Sequence, residues 1–159
     1  MEFPELLRKN KVKMLLNKDL NFLHEDASLS EVIESIRNKQ VSYCVIMDKK
    51  SNKILGLVTE PDLLNFAGGG KFDGKKKISE FLGKHTEYIT VPSNKSIASV
   101  VKLMYRSGFR NIVVTHETDE KIIEGVVSVR DFISHLIEFF PETVFNVNLK
   151  PTTENREGA

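Results

Sequence analysis

The chain has 159 residues, 40% of them hydrophobic and 28% charged, which is enough apolar material for one compact domain or two small halves packed together. Its 23 basic and 22 acidic side chains leave a formal charge of +1, and this excludes the broad positive field of a general nucleic-acid binder. A single cysteine, Cys44, excludes an intrachain disulfide and a CxxC metal or redox pair, and no apolar run approaches the length of a membrane span. The first residues, Met1-Glu2-Phe3-Pro4-Glu5-Leu6-Leu7-Arg8-Lys9, alternate apolar with charged and do not read as a secretory leader, so a cytoplasmic protein in a reducing compartment is expected.

Residues 1–19 form an apolar and basic segment, helical in part, that is expected to pack on the residues next after it in the chain. An extended stretch, Leu20–Leu23, comes next. Leu29, Val32, Ile33 and Ile36 are then spaced i, i+3, i+4, i+7, which is one apolar helix face. Val41–Met47 reads as a strand, Asp48–Lys53 as a charged turn, Ile54–Val58 as a second strand, and about Glu60 to Phe66 as a helix. Pattern is lost in Ala67–Lys77, a Gly/Lys-rich connector. The same β-α-β-β-α order then returns. Tyr88–Val91 is extended, Ile97, Val100, Val101 and Met104 repeat the helix face, and Ile112–Val114, Ile122–Val127 and Phe132–Ile137 complete the unit. Leu29 to Ile97, Val32 to Val100 and Val45 to Val113 are each 68 positions apart, whereas Gly56 to Gly125 and Asp62 to Asp131 are each 69. One extra residue in the hairpin loop Thr115–Lys121 accounts for the difference, as expected of a true duplication. The expected organisation is an N-terminal helical segment over 1–19, a first repeat over 20–67, a connector with a short helix over 68–86, a second repeat over 87–140 and a tail over 141–159.

Each repeat ends its last strand on a G-x-x-[S/T]-x-x-D motif: Gly56-Leu57-Val58-Thr59-Glu60-Pro61-Asp62 and Gly125-Val126-Val127-Ser128-Val129-Arg130-Asp131. The hydroxyl can cap the following helix, and the Asp falls in its first turn. One such corner alone reads most simply as a cap. Two, after the same hairpin in both halves, point to a ligand with phosphate and ribose, because helix N–H groups favour anions and a carboxylate accepts from paired sugar hydroxyls.

On these motifs, over roughly 120 residues, the chain resembles a tandem pair of CBS domains, the Bateman module, with Phe22–Phe66 and Thr90–Phe140 as its repeats. The resemblance implies an α+β fold, an α/β sandwich of two β-α-β-β-α repeats packed as a pseudo-two-fold pair. It implies a regulatory, non-catalytic module that binds adenosine-containing ligands in clefts between the repeats. No obligatory cofactor is implied; AMP, ADP or ATP is expected ahead of NAD or S-adenosylmethionine. Carried onto this chain, one cleft joins Thr59 and Asp62 to Ile89, Arg110 and Asn111, and the other joins Ser128 and Asp131 to Asn21, Ser42 and Tyr43. Arg110 and Arg130 are the expected phosphate cations. The first repeat departs from the family's pattern, with Pro61 standing where the second has Arg130, and this weakens phosphate preference at Asp62.

The remaining features read more plainly. His24, His85, His116 and His135 lack metal-ligand spacing. Cys44 reads as a small core residue, and Lys75-Lys76-Lys77 as a solvated connector. The helices that come after the motifs, with Leu63, Leu64 and Phe66 in one and Phe132, Ile133, Leu136, Ile137 and Phe140 in the other, are more apolar than one buried stripe needs, so a homodimer is expected. The tail is expected to pack Val144, Phe145 and Leu149, with disorder over Thr152–Ala159. A regulated protein partner is implied but not identified, with no nucleic-acid or membrane partner. The alternative is a dimeric interaction scaffold with vestigial clefts. An enzyme is not expected, since neither a nucleophile–base pair nor a phosphate-binding GxxxxGK[ST] loop is present.

Overall fold

The computed structural model describes residues 2–16, 19–70, 72–83 and 86–142; the expectations for His85, for Val144, Phe145 and Leu149, and for Thr152–Ala159 lie outside the described residues. Two three-stranded sheets form the centre. In the first, β1 (Phe22–His24) pairs parallel with β2 (Tyr43–Met47), and β2 pairs antiparallel with β3 (Ile54–Thr59). The second repeats this with β4 (Thr90–Pro92), β5 (Asn111–Thr115) and β6 (Ile123–Ser128). Both hairpins shift register at matching places, Ile46/Met47 and Val114/Thr115, as expected of one unit copied.

Helices complete each repeat. After α1 (Phe3–Lys9), α2 (Leu29–Lys39) crosses from β1 to β2, and α3 (Glu60–Gly68) comes after β3. Their counterparts are α4 (Ile97–Ser107) and α5 (Val129–Phe139). The start of α2 is fixed by a capping box: the Ser28 N–H donates to Glu31 Oε2 at 2.6 Å and the Glu31 N–H to Ser28 Oγ at 3.2 Å. Its end turns on Gln40 in the left-handed region (φ 54°), where α4 uses Gly108 (φ 77°).

Strand alternation divides the core in three. Cys44, Ile46 and Val58 pack under Leu29, Val32 and Ile36 of α2. Ile112, Val114 and Val127 pack likewise under Ile97, Val100 and Met104 of α4. The opposite faces meet each other, Tyr43, Val45 and Leu57 against Val113 and Val126. Central strands buried on both faces read as continuous apolar runs, which is how β2 and β5 look in the sequence.

The segments before each repeat are exchanged. The Asn10 carbonyl accepts from Ile97 N–H at 2.9 Å and Val12 N–H donates to the Lys95 carbonyl at 2.8 Å, so the N-terminal arm packs on the second repeat, with Val12 and Leu15 in its core. The Lys76 carbonyl accepts from Leu29 N–H at 2.9 Å and Ile78 N–H donates to the Ala27 carbonyl at 2.7 Å, so the connector packs on the first. These arms are equivalent, Val12 to Ile78, 66 positions apart. Each buries a side chain completely, which contributes about 1.5–3 kcal/mol. One expectation from the sequence is corrected by the exchange. The described residues Phe3–Leu16 pack on the second repeat rather than on the repeat next to them in the chain, and Ile78, Phe81 and Leu82, just past the Gly/Lys-rich stretch, enter the core of the first. The physical reason is common to both, because a short arm meeting a distant surface needs only isolated apolar residues and no period.

Candidate functional site

The antiparallel hairpins place Thr59 opposite Tyr43 and Ser128 opposite Asn111. Both motif corners therefore come to the same end of the back-to-back sheets. There Ser42 Oγ donates to Asn111 Oδ1 at 2.9 Å, a bond that ties the first repeat to the second. At each corner the Asp turns back on the hydroxyl residue. Asp62 Oδ2 accepts from Thr59 N–H and Oγ1, both at 2.8 Å. Asp131 Oδ2 accepts from Ser128 N–H at 2.7 Å and Oγ at 2.9 Å, and Asp131 N–H donates to Ser128 Oγ at 3.3 Å. Among the described residues no bond falls on Oδ1 of either Asp, so each half-buried carboxylate is held by one oxygen and has the other open to a ligand donor. The cap and ligand readings are thus compatible in the same side chain.

Two cavities flank the pseudo-two-fold axis. One, of about 690 Å³, is lined by Thr59, Asp62, Arg110 and Asn111 together with Glu60, Pro61, Glu87, Phe109 and Arg130. The other, of about 730 Å³, is lined by Ser42, Tyr43, Ser128, Arg130 and Asp131 together with Asp19, Arg37, Lys39, Gln40 and Glu60. Both volumes suit a nucleotide-sized ligand. Ser42, Glu60, Ser128 and Arg130 line both, so the clefts adjoin. Burial pushes the Tyr43 phenol above its ordinary range, and the negative charge of Asp131 adds to this, so Tyr43 stays a neutral donor and acceptor. Burial pushes the Cys44 thiol up to about 11, which keeps it protonated on the core side of β2.

Two expected lining residues lie elsewhere. Asn21 is 1% exposed, and its Nδ2 donates to the Tyr43 carbonyl at 2.9 Å and to Ser35 Oγ at 3.3 Å, so it props β2 from behind. Ile89 lines an adjoining hollow with Leu55, Thr86 and Tyr88, which shares Glu87 and Phe109 with the Asp62 cleft. The cause is shared. Each precedes the first strand of its repeat and spends its carbonyl on the neighbouring strand, Asn21 on Val45 N–H and Ile89 on Val113 N–H, both at 2.9 Å. The sequence reading also missed Glu60, Glu87, Arg37 and Lys39. Glu60 could have been found by aligning the motifs, where it faces Val129; the others carry no local signal. Among the described residues no three His, Cys, Asp or Glu gather to hold a metal ion, and no helix is long and apolar enough to cross a membrane.

Comparison with known proteins agrees with this architecture. Two curated relatives from Methanocaldococcus jannaschii, the uncharacterized proteins MJ1225 and MJ0188, are 26% identical over 125 residues and 24% identical over 128. The alignments cover 79% and 80% of this chain but 42% and 44% of the relatives, so the chain spans less than half their length. Among solved structures, the CBS domain protein PAE2072 from Pyrobaculum aerophilum, complexed with AMP, superposes with a TM-score of 0.69 at 22% identity, covering 83% of this chain and 99% of that one. The CBS domain pair of protein MJ0100, in complex with 5′-methylthioadenosine and S-adenosyl-L-methionine, gives 0.67 at 23% identity, covering 80% and 99%. At such identities these likenesses establish the fold. The CBS-domain family model matches residues 12–69 and 78–138, stretches that each begin in an exchanged arm and run through one motif corner. The chain therefore belongs to the CBS-domain family and carries two CBS repeats.

Proposed function

We propose that this CBS pair is a regulatory module that binds adenosine-containing ligands in its two clefts, with AMP, ADP or ATP ahead of NAD or S-adenosylmethionine. Occupancy is passed to a partner by a change in the angle between repeats or between subunits. The observation that carries the reading is the pair of carboxylates, Asp62 and Asp131, each fixed by bonds to one oxygen at the start of a helix beside a nucleotide-sized cavity. A carboxylate so held accepts from vicinal ribose hydroxyls without losing side-chain freedom on binding. Similar folds complexed with AMP and with S-adenosyl-L-methionine support the ligand class. CBS pairs are in general regulatory and non-catalytic, and regulation requires that the ligand bind two arrangements with different affinity.

A homodimer belongs to the same proposal. Leu64 of α3 is 74% exposed and Ile133 of α5 is 49% exposed, apolar surface that pairing would cover. Thermal unfolding in AMP, ADP, ATP, NAD and S-adenosylmethionine tests the ligand reading. A ligand present at a hundred times its Kd stabilises by about 2.7 kcal/mol, a rise in Tm of roughly 5–10 °C for a chain of this size. No rise with any of the five moves the function to the interaction scaffold.

A further inference from the structure

We infer that the two clefts are sorted by charge: the Asp131 cleft takes the phosphate-bearing nucleotide, and the Asp62 cleft takes an adenosine derivative without phosphate. The inference rests on the adenosine-ligand reading above and adds which class each cleft accepts.

The two clefts differ in three ways that act in the same direction, two at the helix starts and one on the opposing walls. First, the second residue of α5 is Arg130, with both a guanidinium and a backbone N–H, whereas the second residue of α3 is Pro61, which has neither. A phosphate at the start of α3 therefore meets one backbone donor fewer and no guanidinium from that helix itself. Second, α3 begins with Glu60 where α5 begins with Val129, so a carboxylate already occupies the electropositive end of α3. Third, the opposing walls differ. Glu87 faces the Asp62 cleft, while Arg37 and Lys39, from the last turn of α2, face the Asp131 cleft.

Arg130 and Glu60 line both clefts and so do not distinguish them by position. The charged residues belonging to one cleft alone do. Among the described residues, Asp62, Glu87 and Arg110 leave the first with a net negative lining, and Asp19, Asp131, Arg37 and Lys39 leave the second balanced, with two cations for phosphate. A phosphate in the Asp131 cleft also draws Arg130 toward it, which leaves the Asp62 cleft more negative and less hospitable to a second phosphate. A neutral or cationic group at the 5′ position has no such conflict with Glu60 and Glu87.

Calorimetric titration with AMP and with 5′-methylthioadenosine tests this on wild type, Asp62→Ala, Asp131→Ala and the double variant Glu60→Val/Pro61→Arg, which writes the second repeat's pair into the first. The expected result is one AMP per chain, weakened about tenfold or more by Asp131→Ala and little by Asp62→Ala, since losing a hydrogen bond to a charged group carries that effect. 5′-Methylthioadenosine shows the reverse dependence, and the double variant raises AMP stoichiometry from one to two. AMP filling both clefts of wild type with equal affinity overturns the inference. So does AMP binding that depends on Asp62 as much as on Asp131, or a folded double variant that still takes one AMP. If neither probe binds folded wild type, the adenosine-ligand reading itself is overturned.

Discussion

The motif glycines give a test of the exchanged arms. A Cβ at Gly56 would lie 3.0 Å from Thr86 Oγ1, 3.1 Å from Thr86 Cβ and 3.2 Å from the Thr86 carbonyl oxygen. That carbonyl accepts from Leu57 N–H at 3.2 Å, and the Thr86 hydroxyl bonds both the N–H and the carbonyl of Gly83. The neighbour is therefore a threonine anchored through both its hydroxyl and its carbonyl, and moving it a few tenths of an ångström costs about 1–3 kcal/mol. Alanine also restricts the unfolded chain, which offsets about 0.4–1 kcal/mol. Gly56→Ala should therefore destabilise by about 1–2 kcal/mol. At Gly125 the three atoms nearest the Cβ all belong to Leu16, Cδ2 at 3.0 Å and the other two at 3.7 Å, and the end of a leucine side chain gives way cheaply. Gly125→Ala should fall within about 0.5 kcal/mol of wild type. Equilibrium urea unfolding at unchanged m-value measures both. Equal losses, or a larger loss at Gly125, would refute the packing of the connector arm on β3.

Three other outcomes rest on single contacts. Ser42→Ala removes the bond to Asn111, a residue 5% exposed, and should cost about 0.5–1.5 kcal/mol in urea unfolding; no loss would mean that the repeats are not tied there. Gln40→Gly relieves a left-handed side chain at the end of α2 and should stabilise by about 0.5–1 kcal/mol, whereas a loss would contradict a left-handed turn at that position. Cys44 should resist alkylation until the chain unfolds, and its pKa, raised from 9.0 to about 11, fixes a sign: the protonated thiol's contribution is whole below pH 9 and is lost as pH rises toward 11. Cys44→Ala should flatten that alkaline decline, measured as unfolding free energy against pH.

The duplication, the helix faces and the two corners were legible because each is a local pattern: a period of 3.6 in Leu29–Ile36 and Ile97–Met104, and a hydroxyl three residues before an Asp. The arms were not, since Val12 and Ile78 are lone apolar residues whose partners lie in distant sequence, and their spacing of 66 breaks the repeat's spacing of 68. The glycine of each motif looked like part of the ligand corner and instead makes room for Thr86 and Leu16. Asn21 and Ile89 stand just behind the clefts, each with its carbonyl on the neighbouring strand, because a strand's start does not disclose which neighbour takes its carbonyl. Arg37 and Lys39 end α2 with no motif around them, and only the approach of α5 from the other repeat turns that end into a cleft wall.

Calorimetric titration of AMP into wild type and into Asp62→Ala/Asp131→Ala tests the central claim most directly. Saturable binding to wild type is expected, falling at least about tenfold in the double variant as the carboxylate contact to the ligand is lost, while unfolding remains cooperative. Equal affinity in both proteins would contradict a ligand site built on these two carboxylates.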